Sequence, residues 1–157
     1  LNALTGRHKL ARVSKTPGRT QQLNVFALDM QRRLIDAPGY GYAETPPAQR
    51  AYWRVQLATY LQHRQALRGV VWVMDIRQPL AAADQEFLDL LNITQRPCHI
   101  LLNKADKLSR MQALRILHQT HALLEQQPGC YSTQCFSALN RDGVESLLAV
   151  LAPWLTV

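Results

Sequence analysis

A short apolar segment at 98–102 is followed directly by Asn103, Lys104, Ala105 and Asp106. Three of these residues have polar side chains: an amide, an ammonium and a carboxylate. A carboxylate can accept two N–H bonds from the Watson–Crick edge of guanine, an edge that adenine does not offer. The lysine stem can lie along a purine face, and the asparagine amide can brace neighbouring loops. The pattern therefore favours guanine recognition over its alternative, a loop that merely caps a helix.

Two other segments stand at the ends of strand-like stretches and carry weaker signals. Asp36 ends the stretch 32–36 and is followed by Ala37, Pro38 and Gly39. An aspartate there can hold Mg²⁺ through a water, and a glycine N–H can approach a phosphate closely, although the same residues are typical of an ordinary turn. Ser137 and Ala138 follow the stretch 131–136, where a small residue lets a backbone N–H reach guanine O6.

The apolar pattern predicts the elements that position these segments. Strands are predicted at 22–28, 32–36, 69–76, 98–102 and 131–136, and helices at 1–5, 47–67, 82–92, 109–126 and 142–155. The continuous apolar run at 69–76 indicates a strand buried on both faces. Strands that alternate with helices predict a mostly parallel sheet covered by helices on both faces, and the hairpin at 22–36 adds one antiparallel edge strand. Ligands of such sheets bind where the strands' carboxyl ends meet.

The charge of the chain is distributed unevenly. The 157 residues carry a net charge of +7, and residues 1–74 hold eleven Lys and Arg against three acids, whereas residues 75–157 hold seven against eight. This bias favours a polyanionic partner, and its alternative is a basic surface that only aids solubility. Three cysteines without a CxxC pair argue against a disulfide framework, and no apolar run approaches the ~20 residues that span a bilayer.

In combination, these segments resemble the EngB-type GTPases (also called YihA or YsxC), bacterial GTP-binding proteins of the Era-like class. The resemblance extends over essentially the whole chain. It rests on LNALTGR at 1–7, SKTPGRTQQLN at 14–24, DAPGYGYA at 36–43, the pair Tyr52-Trp53, GVVWVMDIRQP at 69–79, LNKADKLS at 102–109 and FSALNRDGV at 136–144.

The resemblance implies a three-layer P-loop GTPase fold in a single GTP-binding domain over 1–157, with Mg²⁺ as cofactor. It implies a first switch in which Thr20 binds Mg²⁺ directly, and a second switch, Asp36 to Gly39, in which Asp36 binds the ion through water. The implied nucleotide contacts are Gly18, Arg19, Thr20, Gln21, Gln22, Asp36, Ala37, Pro38, Gly39, Asn103, Lys104, Ala105, Asp106, Phe136, Ser137 and Ala138. Arg77 and Pro79 of the DIRxP segment are interpreted as structural.

The family's role implies a slow GTPase switch that assists assembly of the large ribosomal subunit. Its partners would be GTP or GDP and the subunit precursor with its rRNA, without a membrane. The protein would be a cytoplasmic monomer needed for cell division and septation. Tyr40 stands where many GTPases carry the glutamine that orients the attacking water, so hydrolysis is expected to be slow and no catalytic residue is assigned.

One expected feature of the family is missing from the sequence. The chain contains no phosphate loop of the form GxxxxGKS. We therefore expect an N-terminally incomplete chain that lacks roughly thirty residues, including the first strand and this loop. The alternative is a natural degenerate paralogue. A second function also stays open, a non-hydrolysing RNA-binding domain that keeps the GTPase fold.

Overall fold

The structure, a computed structural model, describes residues 1–6, 10, 23–38 and 47–156. It divides into two compact units, Leu1–Arg64 with Leu155–Val157 and Gln65–Trp154. The prediction of a single GTP-binding domain stays a prediction. None of the helices within the described residues is both long and apolar enough to cross a membrane.

The first unit is built around a β-hairpin. Helix α1 (Asn2–Thr5) ends at Gly6, whose φ of 68° is the left-handed conformation that glycine adopts readily at a helix end. Strands β1 (Asn24–Ala27) and β2 (Arg33–Asp36) pair antiparallel as a two-stranded sheet of their own. Helix α2 (Pro47–His63) follows.

A single aspartate organises the hairpin turn. The Oδ1 atom of Asp29 accepts the N–H groups of Gln31 and Arg32 at 2.9 and 2.8 Å, and the Arg32 guanidinium pairs with Oδ2. The Leu28 N–H donates to the Arg32 carbonyl at 2.9 Å and closes the turn. An aspartate that bonds to the backbone two residues on is the usual way in which this residue forms a turn.

The second unit is a parallel sheet with a helix after each strand. Its elements are β3 (Val70–Asp75), α3 (Gln85–Thr94), β4 (Cys98–Asn103), α4 (Arg110–Leu124), β5 (Tyr131–Cys135) and α5 (Val144–Trp154). Within the described residues the strand order is β3-β4-β5, so β4 is central. Asp75 lies beside Asn103, and Leu102 lies beside Cys135. Residues 98–102 of β4 are all buried, as their apolar run predicts.

The core of the second unit lies between this sheet and its helices. Ile76, Leu91, Ile100, Leu102 and Leu124 are almost completely buried. The Trp72 ring meets Phe87 edge to face, with 4.7 Å between ring centroids. Truncating such a side chain to alanine costs about 2–5 kcal/mol. The carboxyl ends of the parallel strands, where the candidate functional residues lie, are therefore held by a well-packed core.

The predicted α/β fold is confirmed, with a parallel sheet, an antiparallel pair and helices, while two details of the prediction are wrong. Strand β3 is not buried on both faces, since Val73 is 56% exposed. In the described part of the chain β3 is an edge strand, and one of its faces is incompletely covered. Helix α2 ends at His63 rather than at Leu67.

Candidate functional site

The carboxyl ends of the three parallel strands meet, and backbone hydrogen bonds join the segments that follow them. The Phe136 N–H donates to the Leu102 carbonyl at 2.9 Å, and the Ala105 N–H donates to the Phe136 carbonyl at 3.0 Å. On the other side of β4, the Ile76 N–H donates to the Asn103 carbonyl at 2.9 Å. These bonds place the segments 103–106 and 136–138 side by side. We call these two segments the base edge.

Asp106 is held at the base edge by a buried serine. The Ser137 hydroxyl donates to Asp106 Oδ1 at 2.6 Å and accepts the Asn140 N–H at 3.1 Å. Ser137 is fully buried, and the Asp106 side chain is 10% exposed. The Ser137 hydrogen bond is the main cause that lowers the pKa of Asp106, and Lys107, with Nζ 3.5 Å from Oδ2, acts in the same direction. The carboxylate is therefore ionised and fixed in direction.

Asn103 joins the two segments of the base edge through its side chain. Its Oδ1 atom accepts the Ala138 N–H at 3.1 Å, across 35 residues of sequence. The sequence predicts that a backbone N–H of the small residues Ser137 and Ala138 reaches guanine O6, and the Ala138 N–H is one of these two. A guanine bound there must share this donor with Asn103 or replace Asn103 as its acceptor. The bracing role expected for the asparagine amide is present, and the role of Ala138 towards a base stays a prediction.

Lys104 has a left-handed backbone conformation, with φ 66° and ψ 30°, in the turn between β4 and the 3-10 segment Ala105–Lys107. Its Nζ lies 3.1 Å from Oδ2 of Asp75 at the end of β3. Ser109 then begins α4 through a capping box with Gln112. The loop 103–108 is thus bounded by a buried strand and a capped helix, both of which restrict where Lys104 and Asp106 can point.

Asp75 is a residue of this site that the sequence analysis left unassigned. It accepts the Arg77 backbone N–H and Nε at Oδ1, at 3.0 and 2.9 Å, and Arg77 Nη2 at Oδ2, at 2.6 Å. The Arg77 hydrogen bonds are the main cause that lowers the pKa of Asp75, with Lys104 contributing further. Its signal was an acidic residue at the carboxyl end of a predicted strand, the same position that directed attention to Asn103.

A chain of polar groups that includes the buried His99 supports the loop after β5. Gln134 Nε2 donates to the Gly143 carbonyl at 2.8 Å, so its Oε1 faces His99 Nε2 at 2.9 Å and accepts that proton. His99 Nδ1 then accepts from the Ser132 hydroxyl at 2.7 Å. Burial lowers the pKa of His99, which fits a neutral ring. Gly143 has φ +85°, and a Cβ there would lie 2.7 Å from Gln134 Nε2 and 2.8 Å from the Cys135 carbonyl.

The residues expected at the phosphates are described only in part. Asp36 lies half-buried at the carboxyl end of β2, and Ala37 and Pro38 follow it. Five expected contacts of the first switch, Gly18, Arg19, Thr20, Gln21 and Gln22, lie outside the described residues, as does Gly39.

Asp36 is the described residue on which the fit of Mg²⁺ depends. Protein-bound Mg²⁺ usually takes one or two carboxylates, with phosphate and water oxygens completing its shell. A single half-buried carboxylate at a strand end suits that donor set. An all-protein cage is not seen, since the described residues contain no cluster of three His, Cys, Asp or Glu that could hold a metal ion. Asp36 therefore fits a contact to a nucleotide-bound ion.

Comparison with known proteins places the chain in a family. A family model described as "50S ribosome-binding GTPase" matches residues 1–104. A relative named "Probable GTP-binding protein EngB" from Methylobacillus flagellatus is 46% identical over 155 residues, which are 99% of this chain and 75% of the relative. A protein of the same name from Dechloromonas aromatica is 46% identical over 159 residues, with 100% of this chain and 72% of the relative covered.

Solved structures share the fold at lower sequence identity. One described as a probable GTP-binding protein engB matches with a TM-score of 0.72 at 19% identity, over 98% of this chain and 89% of that chain. Era from Aquifex aeolicus, described as bound to GDP and AlF4⁻, matches with a TM-score of 0.75 at 18% identity, over 99% of this chain and 52% of that one.

Proposed function

Because the chain belongs to the EngB family of GTP-binding proteins, we propose that the protein binds GDP and GTP and selects guanine through Asp106. The observation that carries this proposal is the Ser137–Asp106 contact of 2.6 Å, which fixes an ionised carboxylate beside the small residues Ser137 and Ala138. Guanine presents two N–H donors to such a carboxylate, whereas adenine presents none with that spacing. Lys104 would cover the purine face.

The phosphate side of the proposed site rests on the family resemblance and on the position of Asp36 at the end of β2. Residues 18–22 would surround the nucleotide, and 36–39 would approach its terminal phosphate. Thr20 would hold Mg²⁺ directly, and Asp36 would hold it through water. When bound, Mg²⁺ neutralises charge that develops on the phosphate oxygens.

Members of this family are GTPases, and we propose slow hydrolysis of GTP to GDP and phosphate in the full-length gene product. Tyr40 lacks the amide with which a glutamine at this position orients the attacking water. A slow reaction suits a switch whose two nucleotide states differ in how the loops near the γ-phosphate are ordered.

The proposed partner is the precursor of the large ribosomal subunit with its rRNA. The description of the matching family model and the basic residues of 1–74 support this proposal. Positive charge favours RNA because phosphate neutralisation releases counterions. We also propose that the protein acts as a cytoplasmic monomer and that its loss disturbs cell division and septation.

The test is a competition experiment on the full-length gene product with Mg²⁺. Fluorescent GDP is bound first, and unlabelled GDP, ADP and xanthosine diphosphate are then added. We expect GDP to displace the probe, and ADP to fail even at about hundredfold excess, because sites that hydrogen-bond a substrate reject analogues that lack the groups. Displacement by ADP as strong as by GDP would overturn the proposal. Binding of rRNA without any guanine nucleotide would favour the non-hydrolysing RNA-binding domain.

A further inference from the structure

Asp75 lies outside the residues that the proposed site assigns to the nucleotide, yet it contacts one of them. We propose that Asp75, oriented by Arg77, is a positioning residue that holds the Lys104 ammonium and thereby sets the lysine stem for a guanine base. This inference rests on the proposed function, because it assumes that Lys104 covers the purine face.

The geometry of the Asp75 carboxylate allows it to hold two cations at once. The Arg77 guanidinium approaches edge-on, with Nε at Oδ1 and Nη2 at Oδ2, and the Arg77 backbone N–H adds a third bond to Oδ1. Oδ2 has room for a second partner, and Lys104 Nζ occupies it at 3.1 Å. A bidentate guanidinium fixes the plane of a carboxylate, which a point charge cannot do.

Lys104 gains from such an anchor because about half of its side-chain surface is exposed to solvent and not held by packing. The Lys104 side chain is 51% exposed, whereas that of Asp75 is 28% exposed. A lysine side chain loses about 1.5–2 kcal/mol of conformational freedom when it is fixed. The ion pair with Asp75 restricts the Lys104 side chain before the nucleotide binds. Binding then loses less side-chain conformational entropy, and the affinity is higher.

The hairpin turn offers a natural control for this contact. Asp29 resembles Asp75 in that its Oδ1 accepts backbone N–H groups and a nearby arginine, Arg32, pairs with its carboxylate, although Arg32 bonds to Oδ2 alone. The contacts of Asp29 are with residues of its own turn, whereas Asp75 also reaches Lys104, 29 residues along the chain. Removing the carboxylate of Asp29 therefore measures the effect of losing a turn-forming aspartate alone. Removing that of Asp75 measures the same loss together with the loss of the contact to Lys104.

The experiment is a double-mutant cycle on the full-length gene product, with GDP affinity measured by calorimetry and thermal unfolding measured without nucleotide. The cycle uses Asp75→Asn, Lys104→Met and the pair, with Asp29→Asn as the matched control. We expect Asp75→Asn to weaken GDP binding about tenfold in the wild-type background, but less than about twofold in the Lys104→Met background. Asp29→Asn should leave GDP affinity within about twofold.

Additive losses in the cycle would overturn the inference, because they would show that Asp75 acts through the turn alone. If Asp75→Asn does not fold, Arg77→Gln takes its place, since it leaves the Asp75–Lys104 pair but frees the carboxylate to rotate. That variant should weaken GDP about threefold, again only when Lys104 is present. A wild-type protein that binds no GDP would overturn both proposals. Normal GDP binding with additive losses would overturn this inference alone.

Discussion

The hairpin turn and the base edge are each stabilised by side-chain hydrogen bonds, but these bonds span very different distances in sequence. In the turn, Asp29 contacts residues two and three positions away. At the base edge, Ser137 contacts Asp106 across 31 residues, and Ala138 contacts Asn103 across 35. A local turn can form on its own, whereas the base edge exists only after β4 and β5 have paired. The proposed guanine recognition is therefore tied to the folding of the parallel sheet.

The two regions also carry different residues expected to contact the nucleotide. The hairpin carries Asp36, the expected Mg²⁺ residue, and the base edge carries Asp106, the expected guanine residue. The Ser137 hydroxyl orients Asp106 through a hydrogen bond within the protein. Asp106 should thus need little reorganisation on binding, and the phosphate contacts should supply most of the affinity.

The largest expected effect is on GDP affinity when the base edge is present but the phosphate loop is not. The 157-residue chain contains no GxxxxGKS segment. Charged hydrogen bonds are worth about 1.5–3 kcal/mol each, so the absence of three costs roughly 5–9 kcal/mol, which is more than about a thousandfold in affinity. Calorimetric titration of GDP with Mg²⁺ should detect no binding to this chain. Micromolar binding would show that the base edge suffices without a phosphate loop.

The second prediction concerns Thr20, on the phosphate side. In the full-length gene product, Thr20→Ala should weaken a GTP analogue about tenfold and leave GDP affinity nearly intact, because this hydroxyl is expected to sense the γ-phosphate through Mg²⁺. Paired titrations of the two nucleotides measure the difference. An equal loss for both nucleotides would refute the role assigned to Thr20.

The third prediction tests how strongly the loop after β5 depends on its close packing. Gly143→Ala forces a side chain into a positive-φ position and against the Gln134 amide. We expect a loss of about 1–3 kcal/mol in the free energy of unfolding. Met30→Ala at the hairpin tip, where the side chain is 91% exposed, should change it by less than about 0.5 kcal/mol. Denaturant unfolding measures the free energy of unfolding of both variants. Equal losses would contradict the expectation that the loop after β5 depends more on close packing than the hairpin turn does.

The smallest expected effect comes from His99, which supports the same loop. Burial lowers its pKa in the folded state below its ordinary value of about 6.5. The unfolded chain therefore takes up the proton first, and the stability due to a neutral His99 is present above about pH 6.5 and lost as the pH falls towards the folded pKa. The melting temperature should fall from about pH 7.5 to 5.5, and it should fall less in His99→Gln. Identical pH profiles would exclude His99 as the cause.

The elements were predictable because each has a local signal. The alternation of apolar segments with amphipathic ones located the strands and helices, and the continuous run at 98–102 indicated the central strand. The burial of β3 was not predictable from its own residues, because the exposure of Val73 depends on what covers that face. The end of α2 at His63 has no marker in the sequence, since the next glycine is Gly69.

The base edge was predictable in its residues but not in its bonds. The rule that ligands bind at strand carboxyl ends selected 103–106 and 136–138. It did not reveal that the Ala138 N–H already has an acceptor in Asn103, nor that Lys104 pairs with Asp75. Both contacts join residues at or just after the ends of different strands, and their atoms meet only through the register of the sheet. The link from His99 to Gly143 is hidden for the same reason.

The most direct test of the account is the nucleotide preference of Asp106→Asn in the full-length gene product. Asparagine keeps an oxygen for the Ser137 hydroxyl, so the loop should stay folded, but it replaces one carboxylate acceptor with an N–H donor. GDP binding should weaken about 100-fold. Xanthosine diphosphate, which presents an acceptor at the altered edge, should become the preferred ligand, while Glu145→Gln on the exposed start of α5 should keep the wild-type preference. Unchanged GDP affinity in Asp106→Asn, with no gain for the xanthine nucleotide, would contradict guanine recognition by this carboxylate.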